Sequence, residues 1–169
     1  MLSELKQYIV DVPDFPKPEI IFRDISPLLR DHFTRLIQEM ALLFSNEEWK
    51  QIDYLAGVEA RGFAIAAALA VHMDKGFIPI RKKGKLPPEV AQMNYNLEYG
   101  QDALEMHYGR GKIFLVDDVL ATGGTFEAAA KLCKTTGHDI LGLMAIVDLQ
   151  YLNNFLWEGV KVRSLMVYE

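Results

Sequence analysis

Asp117 and Asp118 stand side by side, four residues ahead of the run Ala121-Thr122-Gly123-Gly124-Thr125. A turn of glycines and threonines brings backbone amides and hydroxyls close to an anion. Before the carboxylates, Ile113-Phe114-Leu115-Val116 is the short apolar run of a buried parallel strand, which the acids would end. After the turn, Phe126 to Cys133 reads as a helix. The turn therefore falls at a helix N-terminus, where free amides and the dipole favour a phosphate. The Walker pattern is excluded because no lysine follows Gly124, and the dinucleotide fingerprint because only one adjacent glycine pair is present. Carboxylates beside a phosphate cradle fit a sugar phosphate that brings free hydroxyls and magnesium with it. Taken singly, each residue could be a helix-capping Asp or a glycine turn, but the run of nine from Asp117 to Thr125 argues for a site.

A second strand–loop–helix unit precedes this one. Asp53 to Val58 reads as a strand, Glu59-Ala60-Arg61-Gly62-Phe63 as the turn after it, and Ala64 to Val71 as a helix. That helix is apolar on nearly all sides and is expected to be well buried. Both loops would lie at the carboxyl edge of one parallel sheet, where open α/β folds bind ligands. The next strand, Phe77 to Ile80, runs into Arg81-Lys82-Lys83-Gly84-Lys85, four cations in five residues. Such a cluster is a solvated surface or an anion patch.

The segment Val116 to Thr125 resembles the phosphoribosyl pyrophosphate signature of the type I phosphoribosyltransferases, and the likeness extends from Pro13 to Glu169. Pro13-Asp14-Phe15-Pro16-Lys17-Pro18, Phe22-Arg23-Asp24-Ile25-Ser26-Pro27 and Asn96-Leu97-Glu98-Tyr99-Gly100 narrow it to the adenine-specific branch. The resemblance implies transfer of the 5-phosphoribosyl group from phosphoribosyl pyrophosphate to N9 of adenine, giving AMP and diphosphate. It also implies magnesium, held mainly by substrate and water rather than by a protein cage. By the same resemblance Ala121, Thr122, Gly123, Gly124 and Thr125 bind the 5′-phosphate, and Asp117 and Asp118 the ribose hydroxyls. Glu59, Ala60 and Arg61 face the diphosphate with Arg81, Lys82 and Lys85, the last three in part from a neighbouring subunit. Phe22 stacks on adenine while backbone groups of Ile21 and Arg23 read its edge. Glu98 and Tyr99 join Arg61 as the catalytic set, Glu98 managing a purine proton and Tyr99 excluding water. One departure is Glu19, where the family usually has glycine.

The rest of the chain must position these groups. At 169 residues it suits one domain, with residues 1–30 as a hood and about 82–111 as a lid. Ser3 to Val10 reads as a short helix, and the prolines from Pro13 to Pro18 force an extended segment. Read from residues alone, Ile20 to Pro27 is strand-like, with Arg23 and Asp24 as a local salt bridge. Phe33, Leu36, Ile37, Met40, Ala41 and Phe44 follow helical spacing. Asn94 to Tyr99 and Ala103 to His107 alternate around Gly100-Gln101-Asp102, which predicts a hairpin turning there. Ile140 to Val147 is a further buried strand, Tyr151 to Trp157 a short helix or loop, and Val162 to Glu169 an edge strand. The expected fold is an open, mainly parallel α/β sheet flanked by helices.

Composition narrows the partners. Eighteen basic against 23 acidic residues argue against a nucleic-acid binder. The single Cys133 sits on the apolar side of its helix as a buried thiol and fits a reducing compartment. With no apolar run near the roughly 20 residues of a membrane span and a polar N-terminus, a cytoplasmic protein is expected. The family implies a homodimer. Two rivals stay open: a sister transferase acting on xanthine, hypoxanthine or a pyrimidine, and a regulator that senses phosphoribosyl pyrophosphate.

Overall fold

The apolar run Ile113–Val116 becomes part of an interior strand of a seven-stranded sheet, with both of its faces covered. The computed structural model describes residues 2–97 and 100–169. A helix α1 (Leu2–Lys6) leads into a two-stranded antiparallel ribbon of β1 (Val10–Pro13) and β2 (Ile21–Asp24). Then follow α2 (Ser26–Ala41), α3 (Asn46–Gln51), β3 (Tyr54–Val58), α4 (Arg61–His72) and β4 (Gly76–Lys82). The hairpin β5 (Val90–Leu97) and β6 (Gly100–His107) is next, then β7 (Gly111–Leu120), α5 (Gly124–Thr135) and β8 (His138–Leu149). A 3-10 turn (Gln150–Leu152) and β9 (Val162–Tyr168) complete the chain. The main sheet has the order β5-β6-β4-β3-β7-β8-β9. Pairing is parallel from β4 through β9 and antiparallel within the hairpin and where it joins β4.

Alternation along β7 divides the core. Phe114 and Val116 point to the side of α2 and α4, Ile113 and Leu115 to that of α5, and all four are at most 1% exposed. Phe114 stacks on Phe44 at 4.0 Å between ring centres and meets Trp49 edge-on at 5.0 Å. The Trp49 indole donates to the Ala41 carbonyl at 2.8 Å, closing the end of α2 over the sheet. On the other side Cys133 is fully buried among apolar neighbours, and burial pushes its thiol up to about 12.

Several local expectations need correction. The first helix stops at Lys6, and Val10–Pro13 is instead a strand paired with Ile21–Asp24. Pro27 does not end an extended segment. It sits in the first turn of α2, where a missing N–H costs nothing. Arg23 does not pair with Asp24: it reaches across the ribbon to Asp11, while Asp24 accepts from the Ser26 N–H at 2.9 Å and hydroxyl at 2.6 Å. β7 runs on through Asp117 and Asp118 to Leu120, because β8 keeps pairing beside it as far as Asp148. Helix α4 is covered on one side only, leaving Val71 85% exposed. In the hairpin Leu97 pairs with Gly100 and Asn96 with Gln101, so Gly100, Gln101 and Asp102 belong to β6 and not to the predicted turn.

Candidate active site

Three loops leave the carboxyl ends of β3, β7 and β8 on one edge of the sheet, and the β1–β2 ribbon leans over them. Between ribbon and loops lies a cleft of about 490 Å³. Ile21, Phe22 and Arg23 line one wall, Ala121, Thr122, Gly124 and Thr125 the opposite wall, and Arg61 stands between.

The phosphate loop owes its shape to two glycines used differently. Gly123 has φ +93°, and a Cβ there would lie 2.9 Å from the Phe155 ring, so both conformation and packing require glycine. At Gly124 a Cβ would meet nothing closer than 3.8 Å. The missing side chain there leaves the N-terminus of α5 open, with Thr122, Gly124 and Thr125 lining the cleft.

Asp117 and Asp118, each 7% exposed, lie just behind this loop. The Asp118 N–H donates to Asp117 Oδ1 at 2.8 Å. Burial, with the Asp118 carboxylate beside it, holds Asp117 well above the usual carboxylate range. Arg61 Nε lies 2.7 Å from Asp118 Oδ2. Gly62 lets α4 come this close, because a Cβ there would be 3.1 Å from both Asp117 Oδ1 and the Val116 carbonyl. Arg61 is the first residue of α4, not part of a free turn, and its guanidinium carbon is 5.5 Å from the centre of the Phe22 ring.

The remaining cations gather around Glu59. Its carboxylate accepts from Arg81 Nη2 at 3.2 Å and from the Lys82 N–H at 2.6 Å. Burial works against these contacts, yet Glu59 is held below the usual range by the Lys82 amide and the Arg81 guanidinium. Lys82 Nζ is 3.3 Å from Asp102, which also accepts from the Tyr95 hydroxyl at 3.3 Å. Burial and the Asp102 carboxylate push the Tyr95 phenol up to about 12, so it stays a donor at neutral pH. Glu59, Ala60, Arg81, Lys82 and Lys85 thus form a group beside the cleft, outside the walls given above, and Arg61 next to Glu59 and Ala60 connects the two. Glu98 and Tyr99 lie outside the described residues.

Among the described residues, no three His, Cys, Asp or Glu side chains converge as a metal cage. Asp117 and Asp118 are an adjacent pair of carboxyl groups, each 7% exposed.

Eight cleft residues were not among the predicted site residues: Glu19 and Ile20 before β2, Val119 and Leu149 at the ends of β7 and β8, and four more. Tyr95 and Asn96 come from the hairpin, and Tyr151 and Leu152 from the 3-10 turn after β8. The inward alternation Ala91-Met93-Tyr95 could have exposed Tyr95. Tyr151 and Leu152 follow a strand at its carboxyl edge, the position that marked the other two loops.

A profile of the phosphoribosyl transferase domain matches residues 28–150. The chain is 54% identical over 166 residues to the adenine phosphoribosyltransferase of Hydrogenovibrio crunogenus, covering 98% of this chain and 96% of that protein. It is 47% identical to the enzyme of that name from Bdellovibrio bacteriovorus, covering 98% and 99%. Among solved structures, adenine phosphoribosyltransferase from Thermoanaerobacter pseudethanolicus superposes with a TM-score of 0.87 at 37% identity, covering 99% and 100%. The Saccharomyces cerevisiae enzyme, in complex with an imino-altritol bisphosphate and adenine, gives 0.86 at 33% identity, covering 97% of each chain.

Proposed function

Since this chain belongs to the phosphoribosyl transferase family, and within it to the adenine phosphoribosyltransferases, we propose that the cleft between ribbon and phosphate loop is where the transfer takes place. The protein moves the 5-phosphoribosyl group from phosphoribosyl pyrophosphate to adenine N9, forming AMP and diphosphate. One observation carries the site assignment. An aromatic-bearing ribbon and a helix-capped anion loop face each other across about 490 Å³, with one arginine between them.

The chemistry follows from that placement. Adenine stacks on Phe22, and the backbone groups of Ile21 and Arg23 distinguish its amino edge from a keto edge. The α5 amides with Thr122 and Thr125 fix the 5′-phosphate, and Asp117 and Asp118 hold the ribose hydroxyls. Anchoring at both ends brings N9 and the anomeric carbon together as neighbours, which removes most of the entropic barrier. N9 displaces diphosphate with inversion, through a transition state with positive charge on the ribose and negative charge leaving. Arg61, Arg81, Lys82 and Lys85 stabilise that leaving charge. Magnesium, held on substrate oxygens and water near Asp117 and Asp118, would add to the same neutralisation. On the resemblance alone, the purine proton is assigned to Glu98 and cover of the site to Tyr99.

We place the protein in the cytoplasm as a homodimer. No helix among the described residues is long and apolar enough to cross a membrane. Leu42 at 78% and Val71 at 85% exposure are the kind of apolar surface a second copy covers. Light scattering at micromolar concentration would show twice the 19.2 kDa chain mass.

The deciding experiment measures diphosphate release from phosphoribosyl pyrophosphate and magnesium, with adenine, hypoxanthine, guanine and uracil in parallel. Turnover with adenine alone supports the ribbon as the base reader. Turnover with another base would discard the role of Ile21 to Arg23, and tight binding without turnover would point to a sensor.

A further inference from the structure

Glu105 projects from β6 beneath the segment that joins β4 to β5, and it is 1% exposed. Its carboxylate accepts three consecutive backbone donors: Gly84 N–H at 2.9 Å, Lys85 at 2.6 Å and Leu86 at 2.5 Å. β4 ends at Lys82, and its pairing with β6 covers only Arg81 opposite Glu105 and Lys82 opposite Leu104. One further backbone bond, from the Lys83 N–H to the Ala103 carbonyl at 2.9 Å, extends that contact. Beyond it the chain turns through Gly84 at φ +81°, and the next donors converge on Glu105. A single carboxylate thus shapes the turn that carries Lys83 and Lys85. Burial alone would raise this acid, but the three amides outweigh it and hold it below the ordinary range.

We infer that Glu105 is a positioning residue for diphosphate: it fixes the turn at 83–86 so that Lys85 is presented to the leaving group. The inference rests on the diphosphate role given to Lys85 above. It adds that this cation works only because a buried acid, which touches no substrate, orders its backbone. Glutamine offers one acceptor oxygen and turns an NH₂ donor toward backbone donors.

The test is calorimetric titration of wild type, Lys85→Ala, Glu105→Gln and the double variant with magnesium diphosphate and, separately, with AMP, alongside thermal unfolding. AMP occupies the ribbon and the phosphate loop but not the lysine turn. Glu105→Gln should weaken diphosphate binding about ten-fold, the loss expected from charge-assisted hydrogen bonds. AMP binding should stay within about two-fold, as for an uncoupled site. In the Lys85→Ala background the Glu105→Gln effect should shrink, because the two act through one turn. Glu105→Asp, which keeps the charge but withdraws it by one methylene, should give the same split at smaller size and serves if Glu105→Gln does not fold. Equal weakening of both ligands, or a lower unfolding temperature with unchanged diphosphate affinity, would overturn the inference and leave Glu105 purely structural. Unchanged diphosphate binding in Lys85→Ala itself would instead refute the diphosphate role of that lysine.

Discussion

Arg61 Nε lies 2.7 Å from Asp118 Oδ2, tying the first residue of α4 to the acid beside the phosphate loop. The contact joins the start of α4 to the end of β7, almost 60 residues away in sequence, and holds a cation at the cleft. Arg61→Lys keeps the charge but loses the planar fork. It should lower kcat/KM by about a hundred-fold, the scale of removing one preorganised electrostatic contact. Steady-state kinetics with varied phosphoribosyl pyrophosphate checks this, and a loss under three-fold would take Arg61 out of the diphosphate site.

Asp117 should trade stability for function. Its carboxyl group is held above the usual range by burial first and by Asp118 second. Between the unfolded value of about 4 and the raised folded value, the folded state holds a proton that the unfolded state has released. Stability from this group is therefore complete below about pH 4 and falls as pH rises toward the folded value. Asp117→Asn should melt higher than wild type at pH 7, with the gap narrowing toward pH 4, while losing most activity. Melting curves across that range decide it; a variant less stable at neutral pH would contradict the burial penalty.

Glu19 adopts φ +69°, the left-handed region that suits glycine, and its N–H is held by Asp14 Oδ1 at 2.8 Å. Replacing it with glycine removes a steric cost of about 1 kcal/mol while adding some unfolded-chain entropy. Glu19→Gly should leave the chain as stable or up to about 1 kcal/mol more stable. Urea unfolding measures this, and a clear destabilisation would show that the Glu19 side chain supports the ribbon.

Glu48 serves two elements at once. It closes the capping box of α3 with Ser45, and it meets Arg163 of β9 at 2.7 and 3.1 Å. The Arg163 guanidinium, with the Ser45 amide, draws its carboxyl group down to about 2. Stability from a depressed acid is present above its unfolded value of about 4.3 and is lost as pH falls toward 2. Glu48→Gln should cost about 1 kcal/mol at pH 7, given its partial exposure. The deficit should vanish between pH 4 and pH 2 in denaturant titrations. A deficit of equal size at pH 2 would mean that packing, rather than charge, links α3 to β9.

By itself the sequence determined the fold class and the order of the chemistry. Apolar runs of four to eight residues, each followed by small or charged residues and a helical stretch, encode strand, loop and helix locally. Asp117 to Thr125 and Glu59 to Gly62 are contiguous, so their types and spacing can be read without any tertiary contact. The structure alone decided what depends on chain segments meeting across the fold. Gly100, Gln101 and Asp102 have turn propensity yet lie in β6, because β5 pairs with them. Arg23 takes Asp11 as its partner because the ribbon places them opposite, although Asp24 is adjacent in sequence. Tyr95 reaches the cleft and Glu105 the lysine turn because β6 docks beside β4. An isolated acid in an alternating strand carries no local mark of the three amides it will meet. Those amides come from a turn about 20 residues away, and only folding brings them to it.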